Sequence, residues 1–227
     1  MSGCGQMNQE DVPYSIQKEF AIIDDLKKSC YETRGVDAFC LALLKMERQM
    51  RRLFTYLVFQ SEAFSKVDVK KLKKILANNK GMYFEHFMKG VDDLLSGSGL
   101  NVEILVGMEY SALVSNHKKI KRLRNKIFHG QITGEFVGRK KLFGYVDDMK
   151  KWCICLCRGA DDKLGYDGFG YVGNKRNPSF FKEENGKLPE TVKRTINEKF
   201  GGDNAFRCYK EFLDELAPKK NKISRVE

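Results

Sequence analysis

Long apolar runs are missing from this sequence of 227 residues. No stretch approaches the ~20 consecutive apolar residues that a membrane-crossing helix needs. Met1 to Glu10 lack the positive end and apolar segment of a secretion signal, so the expected location is cytoplasmic, with no membrane partner. Histidine is scarce: His86, His117 and His129 are the only three. They are scattered, which makes a poor metal site, and neither a metal nor another cofactor is expected. The strict apolar–polar alternation of half-buried strands is nearly absent, and no internal repeat is found. Cysteine is present but unpromising for cross-links. There are seven, an odd number, and without a secretion signal reduced thiols are the expectation.

What the sequence does carry is positive charge and helical periodicity. Lysine and arginine number 41 against 30 acidic residues, for a formal net charge of +11. Such an excess favours a polyanionic partner, because each phosphate contact releases counterions. Hydrophobic residues make up 42%, enough for a real core, while the mean hydropathy of -0.47 and 31% charged residues fit a water-facing surface.

The spacing predicts helix after helix, and the fold class is all-α. Helices are expected over about Gln9–Tyr31, Val36–Glu62, Val67–Asn78 and Met82–Leu95. Ser96-Gly-Ser-Gly99 then reads as a turn. A further helical stretch begins near Val102, with a break placed near Ser115–Asn116, and runs into a basic segment that Gly130 stops. Another spans Phe136–Arg158, weakened in propensity only at Gly138 and Gly144. Closing helices are expected over Pro189–Phe200 and Asn204–Leu216. After Arg158 the composition shifts, and Gly165 to Gly173 is rich in glycine and aromatics. The chain therefore divides into a helical bundle over 1–158, a C-terminal extension packed on the same domain over 159–218, and a basic tail over 219–227.

The densest chemical signal lies between His117 and Gly130. Lys118, Lys119, Lys121, Arg122, Arg124 and Lys126 crowd a segment in which Ile120, Leu123 and Ile127 recur at steps of three and four. One side can pack while the others present charge to phosphates, and Lys118, Lys121, Arg122 and Lys126 are the candidate RNA-binding residues. Arg124 and His129 add reactivity. An imidazole, with an unperturbed pKa of about 6.5, suits proton transfer near neutral pH. A guanidinium stays charged and can offer a phosphate two parallel hydrogen bonds. Asn125, one turn before His129, can orient the imidazole or bind a phosphate oxygen. On an ideal helix, five residues separate Arg124 and His129 by about 140° and roughly 7.5 Å, so the two do not stack on one face.

Arg124-Asn-Lys-Ile-Phe-His129-Gly130 resembles the signature of the HEPN superfamily: arginine, four to six residues, then histidine. Asparagine often follows the arginine in that family, as Asn125 does here, and the apolar spacers Ile127 and Phe128 also fit. The resemblance covers about Val36–Arg158 and implies a HEPN-like helical bundle. It implies a metal-independent endoribonuclease of a toxin, antiphage-defence or RNA-processing system. The catalytic set would be Arg124, His129 and Asn125, acting in a homodimer with a composite active site, with RNA as substrate and a cognate inhibitor or antitoxin as partner. Two other readings stand beside it: a non-catalytic RNA-binding module, and a regulatory protein-interaction domain.

Other motifs read as structure. His86 is expected to pack, bonded to Glu85 or a backbone carbonyl, and His117 to cap or touch phosphate without a catalytic role. On a helix Cys153 and Cys157 share a face and Cys155 does not, which suits small core residues better than a metal site. Gly168 to Gly173 matches the letters of a dinucleotide fingerprint, but no strand precedes it and no helix follows. Tyr166, Phe169 and Tyr171 beside Lys175 and Arg176 leave open the stacking of single-stranded RNA. The acidic pairs Asp24-Asp25, Asp92-Asp93, Asp147-Asp148 and Asp161-Asp162 are expected to be exposed charge, since adjacent helical positions diverge by about 100°.

Overall fold

The computed structural model describes residues 12–79, 81–129, 137–170 and 188–217. Among these the chain is all-α, with no strand. The helices are α1 (Tyr14–Lys28), α2 (Arg34–Phe59), α3 (Val69–Asn78), α4 (Phe84–Leu95), α5 (Val102–Val106), α6 (Tyr110–Phe128), α7 (Arg139–Leu164), α8 (Glu190–Phe200) and α9 (Ala205–Leu216). No helix among the described residues is long and apolar enough to cross a membrane.

α2 is the axis of the bundle. Its first half buries Phe39, Leu43, Met46 and Met50 at steps of three and four. From Leu53 to Phe59 every side chain is buried, because α1, α4 and α7 all pack against this helix. The polar groups that this helix buries need partners inside the protein. Gln49 is fully buried and donates Nε2 to the carbonyls of Cys153 (3.0 Å) and Asp167 (3.1 Å). Glu19 of α1, also buried, takes Lys45 at 2.5 Å and Arg48 at 3.4 Å. The cations of α2 thus serve three ends. Lys45 and Arg48 bind Glu19, Arg52 donates to the Phe169 carbonyl, and Arg51 lies over the Phe87 ring at 6.0 Å.

The C-terminal helices close the other side of the same core. Phe54 meets Phe87 at 5.5 Å and Phe212 at 6.1 Å, while Phe64 is ringed by Phe200, Phe206 and Tyr209. Burying one such ring stabilises the fold by about 1.5–3 kcal/mol.

Two helix boundaries differ from the sequence expectation for identifiable reasons. The break before the basic helix falls at Gly107, with φ 79°, rather than at Ser115–Asn116. Asn116 instead donates to Asp148 of α7 at 3.0 Å and is held within a continuous α6. α7 runs past Arg158 to Leu164, where Gly165 adopts φ 72° and ends it in the left-handed conformation that glycine takes at little cost.

Candidate active site

α6 is built from a narrow apolar stripe. Leu113, Ile120 and Leu123 are buried, and Val114 and Ile127 pack partly against the core. So little of the helix is enclosed that its remaining circumference carries two separate polar faces. The first turns toward α2 and α4, and the second turns away from the bundle.

His117, Lys121 and Arg124, at steps of four and three, line a narrow crevice with Leu43 and Glu47 of α2 and with Tyr83, Phe84 and Glu85 at the start of α4. Lys121 bonds Glu85 at 2.6 Å and lies over the Tyr83 ring at 5.8 Å. Burial opposes ionisation of Glu85, but the Lys121 hydrogen bond and charge outweigh it and hold the carboxyl below its usual range. Glu47 goes the other way. Burial raises its pKa, with Arg124 and Lys121 opposing and Glu85 adding repulsion. His117 is buried against Phe84, ring centroids 4.2 Å apart, so the expectation that it caps the helix or meets phosphate does not hold.

Arg124 is half-buried at this crevice. Its Nη1 donates to Asn125 Oδ1 at 3.2 Å, and its guanidinium lies 5.5 Å from the centroid of Phe128, which is 63% exposed. The carboxamide and the ring hold the fork in place. Asn125 therefore orients the arginine through its side chain. Toward His129 it offers its backbone carbonyl, which accepts the His129 N–H at 3.1 Å.

His129 is the exposed cap that follows α6. Helical geometry puts it on the outward face with Lys118, Arg122 and Lys126, all exposed. The four candidate RNA-binding residues thus divide. Lys121 sits on the arginine side, bound to Glu85, and the other three share the histidine side. No hydrogen bond joins the side chains of Arg124 and His129 among the described residues. Gly130 lies outside them.

Comparison with family models, curated proteins and solved structures finds no match to this chain. The likeness to the HEPN signature rests on residues 124–129 and their helical setting.

The remaining motifs are structural, in ways the sequence only partly foretold. His86 Nδ1 accepts the Tyr83 N–H at 3.0 Å, capping α4 rather than bonding Glu85 or a carbonyl. Tyr166 and Phe169 are buried, the former stacked on Tyr56 at 4.4 Å, so neither can stack RNA; Tyr171, Lys175 and Arg176 lie outside the described residues. Asp167 turns this loop by accepting the N–H groups of Phe169 (2.8 Å) and Gly170 (2.7 Å). Cys153 and Cys157 are buried core thiols. Burial pushes the first well above its usual range and the second up to about 12. Several of the paired aspartates are not idle surface charge, and Asp147 pairs with Lys27 of α1. Asp24 binds Lys150 at 2.7 Å, Asp92 accepts the Val102 N–H at 2.7 Å, and Asp148 accepts from Asn116. From the sequence, Glu47 and Tyr83 carry no role and Glu85 only that of a partner for His86. They belong to no motif and reach Arg124 only through tertiary packing, although Glu85 stands in the aromatic cluster Tyr83-Phe-Glu-His-Phe87.

Proposed function

We propose that this chain is a metal-independent endoribonuclease of the HEPN type, with Arg124, Asn125 and His129 as its active site. The observation that carries the reading is the setting of the motif. Arg124 is held by Asn125 and Phe128 at the last turns of a basic helix, and His129 is exposed as its cap. Arg124 binds and neutralises the scissile phosphate. His129 serves as general base or acid: one group takes the proton of the 2′-hydroxyl, O2′ attacks phosphorus, the bond to the 5′ oxygen breaks, and that oxygen receives a proton. The products are a 2′,3′-cyclic phosphate and a 5′-hydroxyl, and DNA, lacking the nucleophile, is not cut. Because about 140° separates the two side chains on one helix, the site is completed by a second copy across a two-fold axis. Phe128, exposed beside Arg124, is suited to that contact. A role in toxin action, antiphage defence or RNA processing follows, and a toxin would be held by a cognate inhibitor.

The deciding experiment incubates end-labelled RNA with the protein in EDTA. Cleavage to cyclic-phosphate ends that Arg124→Ala and His129→Ala both abolish, with folding intact, supports the assignment. Full activity in both variants refutes it. The divergence of the two faces of α6 also favours a second reading, a non-catalytic RNA-binding module, which predicts retention of intact RNA in the same assay.

A further inference from the structure

Beyond the crevice at Arg124, the space between α2 and α4 widens into an open groove of about 250 Å³. Its α2 wall is one helical stripe, Leu44, Glu47, Arg48 and Arg51, at steps of three, one and three. Its other wall is the start of α4, with Tyr83, Phe84 and Phe87. Glu47, Tyr83 and Phe84 border the crevice and the groove alike, so the two are continuous. From Leu43 to Arg51 the path along α2 rises about 12 Å.

We propose that this groove binds an unpaired RNA segment flanking the scissile phosphate, with a base stacked on Tyr83 and backbone phosphates held by Arg48 and Arg51. The inference takes its reacting end from the nuclease reading, but its own residues lie outside the Arg124–His129 motif. Three observations carry it. Tyr83 exposes 54% of its surface although it stands in the wall of a groove, and Leu44 opposite exposes 56%. An open aromatic face beside cations is how single strands are held without regard to sequence. The charges are complementary: with Lys121 paired to Glu85, and Arg48 sharing Glu19 with Lys45, Arg51 and Arg124 stand against Glu47 among the lining residues. Arg51 is exposed and lies over the Phe87 ring at 6.0 Å, while Arg48 is also exposed although it bonds Glu19. A base-paired helix cannot use this site, because its bases turn inward and offer no face to Tyr83.

The test measures binding of an unstructured 12-nucleotide RNA, and of a duplex of the same length, to full-length protein carrying His129→Ala so that the probe survives. Adding Tyr83→Ala is expected to weaken single-strand binding about tenfold, adding Tyr83→Phe to restore it, and adding Arg51→Glu to weaken it at least as much. Duplex binding stays unchanged in all. Thermal melting verifies that each variant is folded. Single-strand affinity unaltered by Tyr83→Ala and by Arg51→Glu overturns the groove, and if His129→Ala still abolishes cleavage, the nuclease stands without it. Conversely, RNA left intact by the native protein yet released by Tyr83→Ala removes the nuclease and keeps the groove. Loss of self-association in the Tyr83 variant with RNA affinity intact assigns this face to a second copy and also overturns the proposal.

Discussion

The imidazole of His117 lies against the ring of Phe84 with centroids 4.2 Å apart, and its Nε2 is buried with no hydrogen-bond partner among the described residues. Burial lowers its pKa from the ordinary value. Glu85 of α4 opposes that shift, and Lys121 of the same helix adds to it. The unfolded chain therefore binds this proton more readily than the folded one, and stability rises with pH through the window between the two values. As pH falls below about 6.5, His117 costs stability. Chemical denaturation at pH 7 and at pH 5 should show a smaller loss on acidification for His117→Gln than for the native chain. An equal loss in both removes His117 as the source.

Arg124 and His129 should fail differently from their neighbours. Replacing His129 by alanine is expected to lower kcat about 10²- to 10⁴-fold, the usual worth of a positioned acid or base. Arg124→Lys should recover little of what Arg124→Ala loses, because an ammonium cannot present the planar fork that Asn125 and Phe128 hold. Asn125→Ala should cost less than either, on the order of tenfold, since it acts on the phosphate through the arginine. Single-turnover cleavage of a short RNA measures all four, and Arg124→Lys at the native rate would show that charge alone suffices.

If α6 holds RNA, the cations on its two faces should respond differently to salt. Lys118, Arg122 and Lys126 are exposed on the histidine side, while Lys121 already bonds Glu85. Alanine at each of the first three should reduce the slope of log K against log salt by about 0.7 for a single-stranded ligand. Lys121→Ala should reduce it less, because a paired cation releases fewer counterions from RNA. Fluorescence titrations at three salt concentrations decide this, and equal slopes for all four variants would show that the Glu85 pair opens on binding.

How far the sequence could have led to this site is visible in α6 itself. Apolar steps of three and four at Ile120, Leu123 and Ile127 sufficed to place the basic helix and its buried edge. The all-helical class followed from the same periodicity throughout. Local pattern could not show that His117, which opens the basic run, is driven inward, because the decision belongs to Phe84 on another helix. The same limit hid Glu47, which lines one crevice with Arg124 across 77 positions of chain, and concealed that Tyr166 stacks on Tyr56 of α2 and that Phe169 is buried. The end of α7 was expected at Arg158, and only the left-handed backbone of Gly165 shows that it falls at Leu164. Where a distant partner decides, as for Asn116 and Asp148, a plausible helix break was inferred at a point the partner keeps helical.

Two glycines of α7 make opposite predictions from the same substitution. Around Gly144 an added Cβ would meet nothing within 4 Å. Alanine there should stabilise the helix by roughly 0.5–1 kcal/mol. At Gly159 the added Cβ would lie 1.9 Å from the carbonyl oxygen of Leu105, so α5 and α7 could not keep their approach. That backbone atom has nowhere flexible to retreat, and Gly159→Ala should destabilise by about 1–3 kcal/mol or more. Urea unfolding of the two variants tests the α5–α7 contact directly. A neutral Gly159→Ala would mean that the helices are farther apart than described.

Glu47 couples stability to the charge of the site. Its carboxyl is half-buried, and burial raises its pKa above the ordinary value despite Arg124 and Lys121 nearby, with Glu85 repelling it. A raised folded-state value means that the folded chain holds the proton more tightly than the unfolded one. The resulting stabilisation is complete below the unfolded pKa of about 4.5 and is lost as pH rises through the folded value, so at neutral pH ionised Glu47 is a cost. Glu47→Gln keeps the shape and removes the charge. Its melting temperature should exceed that of the native chain by roughly 1–3 °C at pH 7, with the difference closing at pH 4. The same substitution takes one negative charge from the groove and should tighten binding of single-stranded RNA without changing duplex binding. Higher stability with unchanged RNA affinity would mean that the strand never approaches Glu47, and lower stability at pH 7 would mean that its attraction to Arg124 outweighs its burial.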